Sequence, residues 1–195
     1  PATRLSISCA FCAMLREAFA VDAGKTENRG FSMRKVGLLA GVGRLPVEFA
    51  RAASGMGITV IAVGVVSGVE AELAQVAAGY YSISAGELDK IIKVLKQEGV
   101  QEVTMLGKVT KELLFAGQVA IDARMQQVLA GLPNHNDDTI MLAFVRELAG
   151  EGIGVLDQTR MIQALMPAPG TLSKRQPTEA ERKDMEFGFA VAKQI

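Results

Sequence analysis

The chain has 195 residues, 49% of them hydrophobic and 5% aromatic, with 21 basic and 21 acidic side chains and a formal net charge of zero. That length suits one sizeable domain, or one domain plus a fragment, and the apolar content supplies a core of Val, Leu, Ile, Ala and Met. Balanced charge lacks the basic stripe that a nucleic-acid partner requires, and no apolar run reaches the roughly 18–20 residues of a membrane span, so the expectation is a cytoplasmic protein.

Residues 1–32 are read as an unassigned leader, disordered or artefactual, and are left outside the fold. "DAGKTENRGFS" is polar and loop-like, and "RLSISCAFCAMLREAFAV" sets a short apolar stretch behind one Arg, a faint likeness to a signal peptide. Cys9 and Cys12 form a single Cys-x-x-Cys, half of a zinc site with no second half downstream, and are read as inert thiols.

The fold proper is expected over 33–166. An apolar run at 36–40, ended by Gly41, suits a buried parallel strand. Leu45, Phe49, Ala52, Ala53 and Met56 then recur at helical spacing, with Pro46 where a helix start tolerates it. Gly57 ends that helix and "ITVIAVG" reads as the second strand. A short helix at 70–78 precedes a weak strand, "YYSIS". Ser84 and Glu87 form a capping-box pattern ahead of a stripe of Leu88, Ile91, Ile92 and Leu95. "EVTMLG" is the fourth strand.

Ile121, Met125, Val128, Leu129 and Leu132 mark a further helix. After the polar "NHNDDT", Ile140, Met141, Phe144, Val145 and Leu148 mark the next, with Asn136 or Asp137 as its cap. "IGVLD" is the fifth strand. Helix, glycine and strand thus recur three times, which implies βαβ units: a Rossmann-like, three-layer α/β domain on a parallel sheet of about five strands. A Pro-rich linker and a C-terminal helix occupy 167–195. That helix opens with a capping box at Thr178 and Glu181 and sets Met185, Phe189 and Ala192 on one face.

In open parallel sheets, ligands lie beyond the carboxyl ends of the strands, at the switch point. The loop Gly41-Val42-Gly43-Arg44-Leu45-Pro46 stands there. Its glycines allow close approach of a phosphate, and the helix start behind it offers free amides and partial positive charge. The alternative is a tight turn that binds nothing. A nicotinamide cofactor fits poorly: Pro46 holds the third glycine position, and no acid follows the second strand until Glu70. No Walker-type ending is present either.

Three other segments sit at strand ends or helix starts. Gly107-Lys108 places a point charge within reach of a phosphate, or a solvated lysine in a loop. Asp157-Gln158-Thr159 suits a ribose hydroxyl, a metal or a helix cap. Asp137-Asp138 opens a helix, where stabilisation by the helix dipole is the plain explanation. His135, the single histidine, reads as a loop residue.

Several of these stretches, in the same order, resemble the LpxI-type UDP-2,3-diacylglucosamine pyrophosphatases. They are "GLLAGVGRLPVEFARAASGMGITVIAVGV", "SISAGELDKIIKVLKQEGVQEVTMLGKVTKELLF", "NDDTIMLAFVRELAGEGIGVLDQT" and "LSKRQPTEAERKDMEFGFAVAKQI". Asn136 stands where that family tends to have glycine. The resemblance implies hydrolysis of UDP-2,3-diacylglucosamine to UMP and lipid X in lipid A synthesis, with a divalent metal (Mg or Mn) and no NAD. It also implies a cytoplasmic location beside the inner membrane, a homodimer, and a carboxy-terminal domain carrying the catalytic acid. This chain is accordingly expected to be a substrate-binding half, inactive alone, using Gly41, Gly43, Arg44, Leu45, Pro46, Gly107, Lys108, Asp137, Asp138, Asp157, Gln158 and Thr159. Leu113, Leu114 and Phe115 are candidates to line the acyl chains, or ordinary core. An NAD(P)- or flavin-binding oxidoreductase domain and a non-catalytic nucleotide-binding module remain the alternatives.

Overall fold

The computed structural model describes residues 35–110, 120–157, 159, 162, 166–168 and 170–194. The elements run β1 (Lys35–Ala40), α1 (Leu45–Gly55), β2 (Thr59–Gly64), α2 (Leu73–Val76), β3 (Gly79–Ser82) and α3 (Leu88–Gln97). They continue with β4 (Glu102–Leu106), α4 (Ala123–Ala130), α5 (Asp137–Gly150), β5 (Gly154–Val155) and α6 (Glu179–Ala192). The chain divides into two compact units, with Ser8–Gln163 holding the sheet and Ala164–Ile195 falling in the other. The division lies shortly before the expected linker.

All five strands are parallel, in the order β3-β2-β1-β4-β5. The order reverses at β1, which pairs with β2 on one side and β4 on the other. This is the Rossmann-like arrangement expected. Its cause lies in the strand sequences, which are apolar on both faces because both faces are covered. Val36, Leu38, Ala40, Val60 and Ala62 pack on one side with Phe49, Ala50 and Ala53 of α1 and Leu73 of α2. Leu39, Ile61, Val63 and Val103 pack on the other with the predicted α3 stripe, Met125 of α4 and Leu148 of α5.

The departures are local. β5 pairs only through Gly154 and Val155, although the Leu156 amide still reaches the Val103 carbonyl at 2.7 Å. The Ser84 amide donates to the Glu87 carboxylate at 3.2 Å, but α3 starts beyond Glu87. Its Asp89 amide donates instead to the Asp122 carboxylate at 2.7 Å, which also accepts from the Met125 amide at 2.8 Å. One carboxylate thus caps two helices that are distant in sequence. Asn136 takes the N-cap position of α5 without a side-chain cap bond; Asn134 ties that entry, accepting from the Asn136 amide and the Thr139 hydroxyl.

In the second unit, α6 opens with the expected capping box. The Arg175 guanidinium beside Glu181 holds that carboxyl down at about 2, with help from the Thr178 amide and hydroxyl. No residue of α6 is buried, and Met185, Phe187 and Phe189 are exposed.

The turn after β1 is held by backbone from the loop after β4. The Gly41 amide donates to the Leu106 carbonyl at 2.8 Å, and Val42 and Lys108 exchange amide-to-carbonyl bonds at 2.9 and 2.8 Å. A Cβ on Gly41 would lie 2.5 Å from the Lys108 carbonyl oxygen, whereas a Cβ on Gly43 would meet nothing within 4 Å. Gly43 has φ of 114°, where an L side chain is strained. Gly41→Ala is therefore expected to cost on the order of 3 kcal/mol in urea unfolding, and Gly43→Ala about 1 kcal/mol. Equal losses at the two positions would contradict this assignment.

Candidate functional site

β1 and β4 are neighbours at the point where the strand order reverses, so their carboxyl-end loops flank the crevice in which such sheets take ligands. The β1–α1 turn forms one wall. Gly41 is buried under the opposing backbone, and Gly43 faces open space. Arg44 is the N-cap of α1, in helical backbone conformation and without a side-chain cap bond. The amides of Gly43, Arg44 and Leu45 donate to no backbone carbonyl among the described residues, and Pro46 has no amide to donate. The turn consequently presents donors at the positive end of a helix. Leu45 is partly exposed, while Pro46 is buried in the first turn.

Arg44 does not point freely into this space. Its guanidinium pairs with Glu48 at 2.9 Å and with Glu72, which lies next to α2. Arg51 also pairs with Glu72. The Arg44 guanidinium holds the Glu72 carboxyl below the usual carboxylate range, and Glu72 in return raises Arg44. The carboxylate therefore takes up its proton, and the pairing weakens, at a lower pH than for a free carboxyl. All these side chains are substantially exposed, so solvent screens the interaction.

The second wall is Gly107 and Lys108. Gly107 has φ of 92° and backs directly onto Gly41. The Lys108 side chain is exposed while its backbone is locked to Val42. Beneath this wall lies a cavity of about 240 Å³ on the face covered by α3, α4 and α5. Gly107, Val109 and Asp137 are its exposed rim; Leu39, Val65 and Met125 are its buried end. Ile140, Met141 and Phe144 of α5 form one side. Asp137 alone is ionisable among the described lining residues, and it lies in the first turn of α5.

The structure thus brings together Gly41, Gly43, Arg44, Gly107 and Lys108 through the sewn loops, and Asp137 through the cavity rim that it shares with Gly107. Asp138 is exposed in the same first turn but does not line the cavity. Asp157 follows β5, with β4 between it and β1; its carboxylate accepts from the Thr159 amide and hydroxyl at 2.9 and 2.7 Å. Gln158 and Leu113, Leu114 and Phe115 lie outside the described residues. His135 lies in the exposed connection between α4 and α5. Among the described residues no three His, Cys, Asp or Glu side chains gather in a way that fits a metal ion, so no divalent-metal ligand set is assigned to them. No helix among them is long and apolar enough to cross a membrane.

Sequence reasoning did not identify the cavity or Glu72. Met125, Ile140 and Phe144 were visible only as members of helical stripes, which core packing explains equally well. The pairing of Glu72 with Arg44 joins residues from two elements and leaves no local pattern.

The family model for the LpxI N-terminal domain matches residues 35–165. The UDP-2,3-diacylglucosamine pyrophosphatase LpxI of Caulobacter vibrioides is 28% identical over 166 residues, covering 84% of this chain and 58% of that protein. The chain therefore spans under two thirds of that relative's length. Among solved structures, the chain is similar to the biotin carboxylase domain of Hydrogenobacter thermophilus 2-oxoglutarate carboxylase, at 16% identity and a TM-score of 0.40 over 64% of this chain and 22% of that one. It is also similar to UDP-glucose 4-epimerase of Thermotoga maritima, at 13% identity and a TM-score of 0.41 over 61% of this chain and 35% of that one. These two overlaps are too slight to bear on function. The match over 35–165 is not slight: the chain belongs to the LpxI family and carries its N-terminal domain.

Proposed function

We propose that these residues form the substrate-binding half of a UDP-2,3-diacylglucosamine pyrophosphatase, which hydrolyses its substrate to UMP and 2,3-diacylglucosamine 1-phosphate. The name of the Caulobacter relative supplies the substrate class. The observation in this molecule that supports it is the double role of Gly107, which braces the donor-rich β1–α1 turn and also forms the rim of an apolar cavity. A ligand lodged there needs a charged portion and a hydrocarbon portion close together, and a diacylated sugar nucleotide has both.

In this reading the diphosphate lies against the amides of Gly43, Arg44 and Leu45, where the α1 dipole and the nearby Lys108 oppose its charge. Arg44 leaves Glu72 to meet the phosphates, and Arg51 remains to pair Glu72 when it does. The position after β2, where a dinucleotide-binding domain would place a ribose-binding acid, holds Val65, and Val65 lines the cavity. That favours a lipid-linked nucleotide over a nicotinamide cofactor. A lipid substrate also implies that the protein works at a bilayer surface. The described residues supply binding and orientation; no bond-breaking step is assigned to them, and the chain alone is expected to turn over no substrate.

UMP at saturating concentration is expected to raise the melting temperature of this chain, since a ligand that binds only the folded state must stabilise it. No shift at any concentration would count against the turn as the nucleotide site. Arg44→Ala is expected to weaken UMP binding about tenfold, and Glu72→Gln to tighten it a few-fold by removing the competing carboxylate. Unchanged calorimetric affinity in both variants would leave Arg44 with a purely structural role.

A further inference from the structure

Four charged side chains close a ring at the start of α1. Arg44 pairs with Glu48 at 2.9 Å and with Glu72, while Arg51 pairs with Glu72 and lies 3.7 Å from Glu48. Each carboxylate thus faces both guanidinium groups, and each guanidinium faces both carboxylates. Arg44, Glu48 and Arg51 share one strip of α1, because they follow one another at helical steps of four and three residues. Glu72 comes from outside that helix: it is the N-cap of α2.

Glu72 therefore ties two elements together. Its carbonyl accepts from the Gln75 and Val76 amides at 3.0 and 3.2 Å, so the residue whose side chain is held by α1 also starts α2. The chain leading to it leans on the β1–α1 turn, where a Cβ on Gly68 would lie 3.0 Å from the Val42 side chain. A helix of four residues has no stability of its own. The attachments of α2 are the packing of Leu73 into the core and the ion pairs of Glu72.

One arginine is enough to hold Glu72. Two do so, and Arg44 is the one that stands at the donor-bearing amides of the turn. We infer that Arg51 is a positioning residue for the substrate: it keeps Glu72, and with it α2, fastened to α1 while Arg44 turns to the phosphates. This rests on the proposed place of the diphosphate and adds to it the residue that lets Arg44 go. With Arg51 present, neither carboxylate loses its last partner when Arg44 leaves. Without it, engagement of a phosphate by Arg44 strips both Glu48 and Glu72 at once. The four side chains are between 29% and 50% exposed, so water screens the ring and the effect on affinity is a few-fold.

The test uses this chain with UMP as the probe, measuring affinity by calorimetry and amide exchange by NMR. Arg51 is 48% exposed, so its replacement leaves the core intact. Arg51→Ala is expected to weaken UMP about threefold, and Arg51→Lys, which keeps one charge, to recover most of that loss. In free Arg51→Ala the amides of Gln75 and Val76 are expected to exchange as in the wild type, since Arg44 still holds Glu72. With UMP bound to that variant they are expected to exchange about fivefold faster, whereas UMP does not speed them in the wild type. A chain carrying Glu48→Gln and Glu72→Gln separates this role from plain attraction between Arg51 and a phosphate. With no carboxylates left to hold, adding Arg51→Ala to it should change UMP affinity by less than about 1.5-fold. Equal weakening in both backgrounds, or weakening in neither, would overturn the inference. So would α2 amides that exchange no faster in UMP-bound Arg51→Ala than in the free variant. UMP binding by the wild type with Arg51 inert would remove this role and leave the nucleotide site standing; no UMP binding by the wild type would remove both.

Discussion

Gly41 and Gly107 pack backbone against backbone, and the candidate site is arranged around that contact. Parallel strands at a switch point carry their following loops in the same direction, and nothing in the ladder itself brings those loops together. Here they meet because neither residue has a side chain. The two exchanged bonds between Val42 and Lys108 then fix the turn after β1 against the loop after β4. One consequence is a rigid platform from which the first amides of α1 point outward. Another is that the rim of the apolar cavity stands next to that platform, since Gly107 belongs to both.

This contact changes the meaning of the first glycine. Read along the chain, Gly41 and Gly43 look like equivalent members of a phosphate-binding loop. In three dimensions Gly41 is buried under Lys108 and serves the fold, while Gly43 has open space and a positive φ and is the one a ligand can approach. Pro46 fits the same division: it begins α1, is buried, and replaces the close-packing glycine of a dinucleotide fingerprint without loss to the helix start.

Much of the architecture was legible from pattern. The continuous apolar runs of β1, β2 and β4 mark strands covered on both faces, and the stripe of Leu88, Ile91, Ile92 and Leu95 packs as its spacing requires. The family resemblance rests on ordered motifs and agrees with the match over 35–165. Features that depend on distant partners were not legible. Asp122 caps α3 across 33 residues, so the local Ser84–Glu87 box misplaced that helix start. Arg44 finds Glu72 28 residues away, and neither residue's neighbours announce it. The cavity draws its wall from four different elements and the loops between them. Its Met and Phe residues are the same types at the same spacing that a solid core would use. β5 was shortened for a related reason: as an edge strand it is held by β4 alone, and two residues suffice.

The central claim is that one amphipathic molecule occupies the turn and the cavity together. It is tested most directly by NMR titration of isotope-labelled chain with UDP-2,3-diacylglucosamine. The amides of Gly43 and Arg44 and the methyl groups of Val65 and Met125 should shift together, with one shared Kd. Movement of only one set, or of the two sets with separate affinities, would contradict a shared ligand and separate the turn from the cavity.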